Sequence, residues 1–249
     1  MVPACNRLLV VGGWGVRAEM LEPLYSHWSG EVITVSLDDD LMSRCASVRE
    51  AGLELLRRYP EHAHWMGWSL GAQVVMEAAD AGTGSVASVI SLAGFPRFVA
   101  AEDWLTGMPA REFRAFVRGV ARDPERYWRH FQQLMINGSG DEAGDRAALK
   151  PWLERGCGIS SGNLGKGLQW LGAGDQRELW SRQKIPALHL LGGRDQVVRS
   201  WQSRFTCSGA SAVRMIPDMA HWPGPKSAAA CFREIRNFTH NLRKPALWA

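Results

Sequence analysis

The sequence has no paired cysteines, no long apolar run, no internal repeat and no strong excess of one charge. Its five cysteines, Cys5, Cys45, Cys157, Cys207 and Cys231, are odd in number and scattered, and none forms a Cys-x-x-Cys pair. That argues against a disulfide framework and a zinc site, and for a reducing compartment. The apolar run Leu8 to Val11 is too short for a membrane span or the core of a secretion signal, and residues 1–6 carry no positive charge. A cytoplasmic protein without membrane attachment is expected. The net charge of +4 and pI near 8.9 are too balanced to point to nucleic acid. No Gly-x-Gly-x-x-Gly follows the first apolar run, because Ala18 stands where the third glycine would be, so nucleotide binding is not expected. Neither a metal nor a cofactor is expected.

What is present is enough apolar sequence for one domain with a sizeable core: 249 residues, 46% hydrophobic. Leu8–Val11, Glu31–Ser36, His62–Met66 and Val86–Leu92 read as strands. Between them, helical spacing runs over Ala18–Trp28, Ser43–Tyr59 and a segment from Gln73 to near Gly82. Strand alternating with helix predicts a mostly parallel sheet flanked by helices, an α/β fold. After Phe95-Pro96 the strands stop. Helices are expected over Pro109–Arg122, from Asp123-Pro124 to about Ile136, over Ala147–Arg155 and over Leu164–Leu171. Strand character returns at Ile185–Leu191 and Ala212–Ile216, and a last helix runs from Lys226 to Leu242. The expected division is a core of residues 1–96 and 183–249 with a helical lid inserted at 97–182.

The chemistry centres on Gly67-Trp68-Ser69-Leu70-Gly71, a Gly-x-Ser-x-Gly between an expected strand and an expected helix. A glycine-rich turn with an exposed serine would satisfy the same pentapeptide, so the rest of the chain must decide. A serine nucleophile needs a positioned base, and the base needs an acid to hold its tautomer. Asp195 and His221 each follow an expected strand, and the order Ser69, Asp195, His221 is that of the α/β-hydrolases. His189 lies inside an expected strand. His62 and His64 would sit at the wrong end of theirs, and His27, His130 and His240 fall on expected helices. Asp218 is a minor alternative acid. The amides of Leu70 and of Trp14, in Gly12-Gly13-Trp14-Gly15, are the expected oxyanion donors. Trp14, Trp68, Phe95, Phe98, Trp104 and Trp222 would crowd this edge and could wall an apolar acyl site. Core packing is the competing use of such residues. Arg111, Arg114, Arg118, Arg122, Arg126 and Arg129 recur every three or four residues. Such a stripe is ordinarily a solvated face, yet here it falls beside the expected entrance, where an acidic carrier or a phosphate would dock.

These segments, with Ser91–Ala93 to Phe98–Ala100, Trp104, Met108-Pro109, Asp123 to Phe131, Ala148–Lys150, Gly192 to Val197 and Ala220-His221, resemble the pimeloyl-[acyl-carrier protein] methyl ester carboxylesterases of biotin synthesis. The resemblance implies an α/β-hydrolase core with a four-helix lid. It implies a triad of Ser69, Asp195 and His221, with Trp14 and Leu70 at the oxyanion hole and against substrate. Phe131 would line the acyl channel. The partner would be an acyl-carrier protein held by lid arginines, of which Arg118, Arg122 and Arg126 are the candidates; a monomer is expected. Ala143 and Ala147 stand near positions where the family has arginine, and Gly12 stands where many relatives have histidine. A general short-chain carboxylesterase, a carbon–carbon bond hydrolase with the same triad, and a binding module on an inactive hydrolase fold remain alternatives.

Overall fold

The computed structural model describes residues 5–82, 84–199, 201 and 205–242. The chain begins with β1 (Leu8–Val11), a 3₁₀ segment over Ala18–Leu24 and β2 (Val32–Val35). Helices α1 (Asp39–Arg44) and α2 (Val48–Arg58) lead to β3 (Ala63–Trp68), α3 (Leu70–Ala81) and β4 (Val86–Leu92). A run of helices follows: α4 (Ala110–Arg122), α5 (Pro124–Leu134), α6 (Glu142–Arg155), α7 (Ser161–Ala173) and α8 (Arg177–Arg182). The chain closes with β5 (Ala187–Gly192), β6 (Ser211–Ile216) and α9 (Pro225–Leu242).

Among the described residues, six strands form one parallel sheet in the order β2-β1-β3-β4-β5-β6. Burial explains the composition of its centre. Every residue of β1, β3 and β5 is buried, so these strands are apolar apart from His64 in β3 and His189 in β5, whereas the edge strands β2 and β6 are partly exposed. All strands run the same way, so the loops after β1, β3, β5 and β6 meet at one edge of the sheet, where ligands of open α/β sheets bind.

Capping chemistry accounts for the helix starts and for two departures from expectation. The Asp38 carboxylate accepts from the Leu41 amide at 3.0 Å, so the acidic run Asp38-Asp39-Asp40 opens α1. The helix expected over Ser43–Tyr59 is two helices. Ser47 accepts from the Glu50 amide at 3.2 Å while Glu50 accepts from the Ala46 amide at 2.8 Å, and this reciprocal cap begins α2 afresh. Asp141 accepts from the Gly144 amide, which starts α6 at Glu142, five residues before the expected Ala147. The short α8 is not foreshadowed by the sequence pattern; its buried Leu179 and Trp180 are too few to show a period. His27 lies in a turn after the 3₁₀ segment, not on a helix.

Candidate active site

Ser69 sits between β3 and α3 with φ 56° and ψ −118°, a strained conformation for a residue with a side chain. Both flanking glycines are required by close approach. A Cβ on Gly67 would overlap the carbonyl oxygen of Gly71, and one on Gly71 would overlap that of Gly12. The turn is therefore pressed against the loop after β1, and larger residues at either position would force them apart.

Ser69, His221 and Asp195 meet although 152 and 26 residues separate successive members. His221 Nε2 lies 3.0 Å from Ser69 Oγ, and His221 Nδ1 lies 2.8 Å from Asp195 Oδ2. The other Asp195 oxygen accepts from the amides of Val197 at 2.8 Å and Val198 at 2.7 Å. Those two bonds fix the carboxylate, which then selects the tautomer with the proton on Nδ1 and leaves Nε2 free to accept from the serine hydroxyl. The Asp195 and His221 side chains are 1% and 0% exposed, so no water competes for their hydrogen bond. The alternative acid, Asp218, instead faces Arg194 at 3.3 Å.

The Leu70 amide begins α3 and the Trp14 amide lies in the glycine loop; neither N–H has a hydrogen-bond partner among the described residues. A Cβ on Gly13 would stand 3.2 Å from the Ser69 Cβ, so this loop abuts the serine. Two free N–H groups on segments that touch the serine are what a developing oxyanion requires.

Ser69 opens onto a cavity lined by Trp14, Phe98, Met108, Phe113, Phe116, Phe131, Leu134, Leu168, Leu171, Gln196 and Val197. Of the six aromatic residues expected to crowd this edge, only Trp14 and Phe98 line it. Phe95 and Trp104 border a neighbouring small pocket with Trp201. Trp222 is buried and donates to the Met20 carbonyl at 3.2 Å. Trp68 is fully buried, and its indole N–H donates to the His221 carbonyl at 2.9 Å, so it positions the histidine loop instead of touching the cavity. Phe131 stands edge-on to Trp14, with ring centroids 5.0 Å apart, and 6.2 Å from the His221 ring. Phe113, Phe116, Leu168 and Leu171 are visible in the sequence only as apolar faces of helices; that those faces meet above Ser69 is not.

The helices above the cavity are pinned to the glycine loop. The Gly15 carbonyl accepts from Trp128 Nε1 at 2.6 Å and from Gln132 Nε2 at 3.3 Å, both on α5. Trp14 Nε1 donates to the Leu164 carbonyl on α7 at 2.8 Å. The candidate docking arginines lie outside the cavity. Arg118 borders an outer groove between α4 and α7, Arg122 is exposed at the end of α4, and Arg126 borders a separate concavity on α5.

Among the described residues, no group of three or more His, Cys, Asp or Glu side chains could hold a metal ion, and no helix is long and apolar enough to cross a membrane. His189, on β5, is completely buried and stacks on Trp180 at 4.6 Å. Neither ring nitrogen has a hydrogen-bond partner among the described residues, and burial pushes its pKa down to about 3. It has no contact with Ser69.

A family model described as alpha/beta hydrolase family matches residues 8–233. A pimeloyl-[acyl-carrier protein] methyl ester esterase from Methylococcus capsulatus is 38% identical over 150 residues, covering 58% of this chain and 56% of that protein. One of the same name from Nitrosomonas europaea is 26% identical over 243 residues, covering 90% of this chain and 93% of that protein. Among solved structures, a hydrolase from Oleispira antarctica superposes with a TM-score of 0.83 at 13% identity, over 95% of this chain and 91% of that one.

Proposed function

The chain belongs to the alpha/beta hydrolase family and is a carboxylic ester hydrolase; we propose that it removes the methyl ester of pimeloyl-[acyl-carrier protein] in biotin synthesis. The observation that carries the reading is the Asp195–His221–Ser69 relay at the floor of an apolar cavity. The relatives named for that reaction support the choice of ester.

In this reading Ser69 Oγ attacks the ester carbonyl as His221 Nε2 takes its proton. The negative charge that gathers on the carbonyl oxygen is met by the Trp14 and Leu70 amides. The ester C–O bond then breaks, and the imidazolium gives its proton to the leaving methoxide, which departs as methanol. Water, deprotonated by His221, attacks the acyl-serine, and the acid leaves as the serine regains its proton. Asp195 stabilises the imidazolium in both halves. The methyl cap matters physically. It keeps the chain end neutral, so the acyl group enters an apolar cavity without stripping water from a carboxylate. Residues 97–182 act as the lid over that chain, with Phe131 against it, and the acidic carrier stays outside against Arg118, Arg122 and Arg126.

The test compares kcat/KM for the methyl ester of pimeloyl-carrier with that for a simple aryl acetate. A preference of about a hundredfold or more for the carrier-linked ester, on the order of 2.7 kcal/mol of transition-state binding, is expected. Equal values for the two would favour a general short-chain esterase. Labelling by a fluorophosphonate that is abolished in Ser69→Ala is expected; undiminished labelling would remove Ser69 from its role.

A further inference from the structure

Most side chains that line the cavity over Ser69 are buried or half-buried, and Gln196 alone among them is exposed, so a chain tethered to a carrier must reach the serine from the surface past these walls. Two concavities on the outer surface of the helices are candidate entrances. The one on α5 is bordered by Asp123, Glu125, Arg126 and Arg129, mixes both charges, and shares no lining residue with the cavity. The other, between α4 and α7, shares Phe113 and Leu168 with the cavity. Its floor adds Val117 and Gly172, and its charged wall consists of Arg114 and Arg118.

The two differ further in charge composition: the α4–α7 groove has arginines and no carboxylate, whereas the α5 concavity has Asp123 and Glu125 beside Arg129 and beside Arg126, whose side chain is also unpaired among the described residues. Arg129 is bonded to Glu125 at 2.7 Å, and on α6 Arg146 and Lys150 each face a carboxylate at 3.9 Å. Arg114 and Arg118 have no hydrogen bond and no carboxylate within ion-pair distance among the described residues, and both are exposed. They are one helical turn apart on the same groove, a spacing that lets two guanidinium groups converge on one phosphate. The helix that carries them, α4, is held by packing. It packs chiefly on α5 and α7, and none of its side chains makes a hydrogen bond or ion pair among the described residues.

Resting on the carrier-linked esterase reading, we propose that the substrate arm enters between α4 and α7 by separating Phe113 from Leu168, and that Arg114 and Arg118 hold the phosphate at the arm's outer end. The apolar acyl chain then lies in the cavity, the neutral arm crosses the neck, and the anion stays in solvent-facing guanidinium contact. The site thus recognises a phosphate at a fixed distance from the ester, before any surface of the carrier protein is engaged.

The test uses the full chain and two small thioesters of monomethyl pimelate, one on 4′-phosphopantetheine and one on pantetheine. Wild type is expected to show a kcat/KM about tenfold or more higher for the phosphorylated arm, a preference that shrinks with added salt. Arg114→Glu with Arg118→Glu should erase that preference, and Arg126→Glu should leave it in place. Gln169→Trp, an exposed groove position, should lower kcat/KM for both thioesters by blocking the path. Release of methanol from both thioesters at equal rates in wild type would overturn this entrance and leave the esterase reading standing. Loss of the preference in Arg126→Glu but not in the double variant would move the phosphate to α5 and overturn it too. No release of methanol from either thioester would remove the esterase reading and this proposal together.

Discussion

His221 is held at both ring nitrogens and at its carbonyl, by Ser69, Asp195 and Trp68. No side chain of α4, on the opposite side of the same cavity, makes a hydrogen bond or an ion pair among the described residues. The floor of the site is set by directional bonds between fully buried groups. That region of the roof is set by apolar contact alone, as between Phe113 and Phe98, whose rings meet edge-on at 5.7 Å. The difference follows the work each region does in the proposed reaction. Proton transfer tolerates errors of only a few tenths of an ångström, whereas a wall that must admit a chain has to yield, and non-directional contacts yield without leaving buried polar groups unpaired.

The contrast can be broken hardest at the floor. Asp195→Asn keeps the shape but offers the imidazole a donor where it needs an acceptor, so kcat should fall by about 10⁴-fold. Steady-state hydrolysis of an aryl ester, with circular dichroism to show an intact fold, checks this. A second test on the sheet side uses His189, whose pKa burial lowers from 6.5 to about 3. It is neutral when folded, while the unfolded chain takes up a proton below pH 6.5. Stability from this residue is therefore fully present above 6.5 and is lost as pH falls toward 3, by up to about 1.4 kcal/mol per pH unit. Urea melts at several pH values in that window should show the slope, and His189→Phe should flatten it.

At the roof, Gly119→Ala puts a methyl group into the Tyr127 ring, where α4 crosses α5. A loss of about 2 kcal/mol is expected from overpacking. Limited proteolysis within α4 should quicken, with little change in kcat on a small aryl ester. If kcat fell as far as in Asp195→Asn, floor and roof would not be separable. The smallest effect is expected where the two regions are tied. Trp128→Phe removes one donor from the Gly15 carbonyl and leaves Gln132, so stability should drop by about 1 kcal/mol and kcat by a few-fold. Thermal melts and aryl-ester kinetics read both.

Ser69, Asp195 and His221 are legible in the sequence because their chemistry demands particular residue types and because each follows a strand whose apolar run can be recognised. Once the strands are parallel, the ends of β3, β5 and β6 must share an edge. The walls of the cavity are much less legible. Trp68 and Trp222 stand next to catalytic candidates in sequence, but which way a side chain points at the end of a strand or within a loop depends on packing partners far along the chain: 153 residues for Trp68 and 202 for Trp222. The break between α1 and α2 is visible in Ser47 and Glu50 as a capping pair, yet the apolar spacing runs across it and hides it. For α4 to α7, helix type is readable from spacing. Their mutual arrangement is not, because it rests on single donors such as Trp14 Nε1 and Trp128 Nε1 that no periodicity reveals.

The chain leaves the sheet at Leu92 and rejoins it at Ala187, yet β4 and β5 lie side by side, Leu92 beside Leu190. The entropy of closing such an excursion grows only with the logarithm of its length, by about 0.6 kcal/mol for each doubling. Residues can therefore be added to or removed from that stretch with little penalty to the pairing of β4 with β5. The nucleophile and the histidine–aspartate pair lie on opposite sides of this junction in the chain, so the reaction chemistry can be inherited unchanged while the helices above it are rebuilt for a different acyl group.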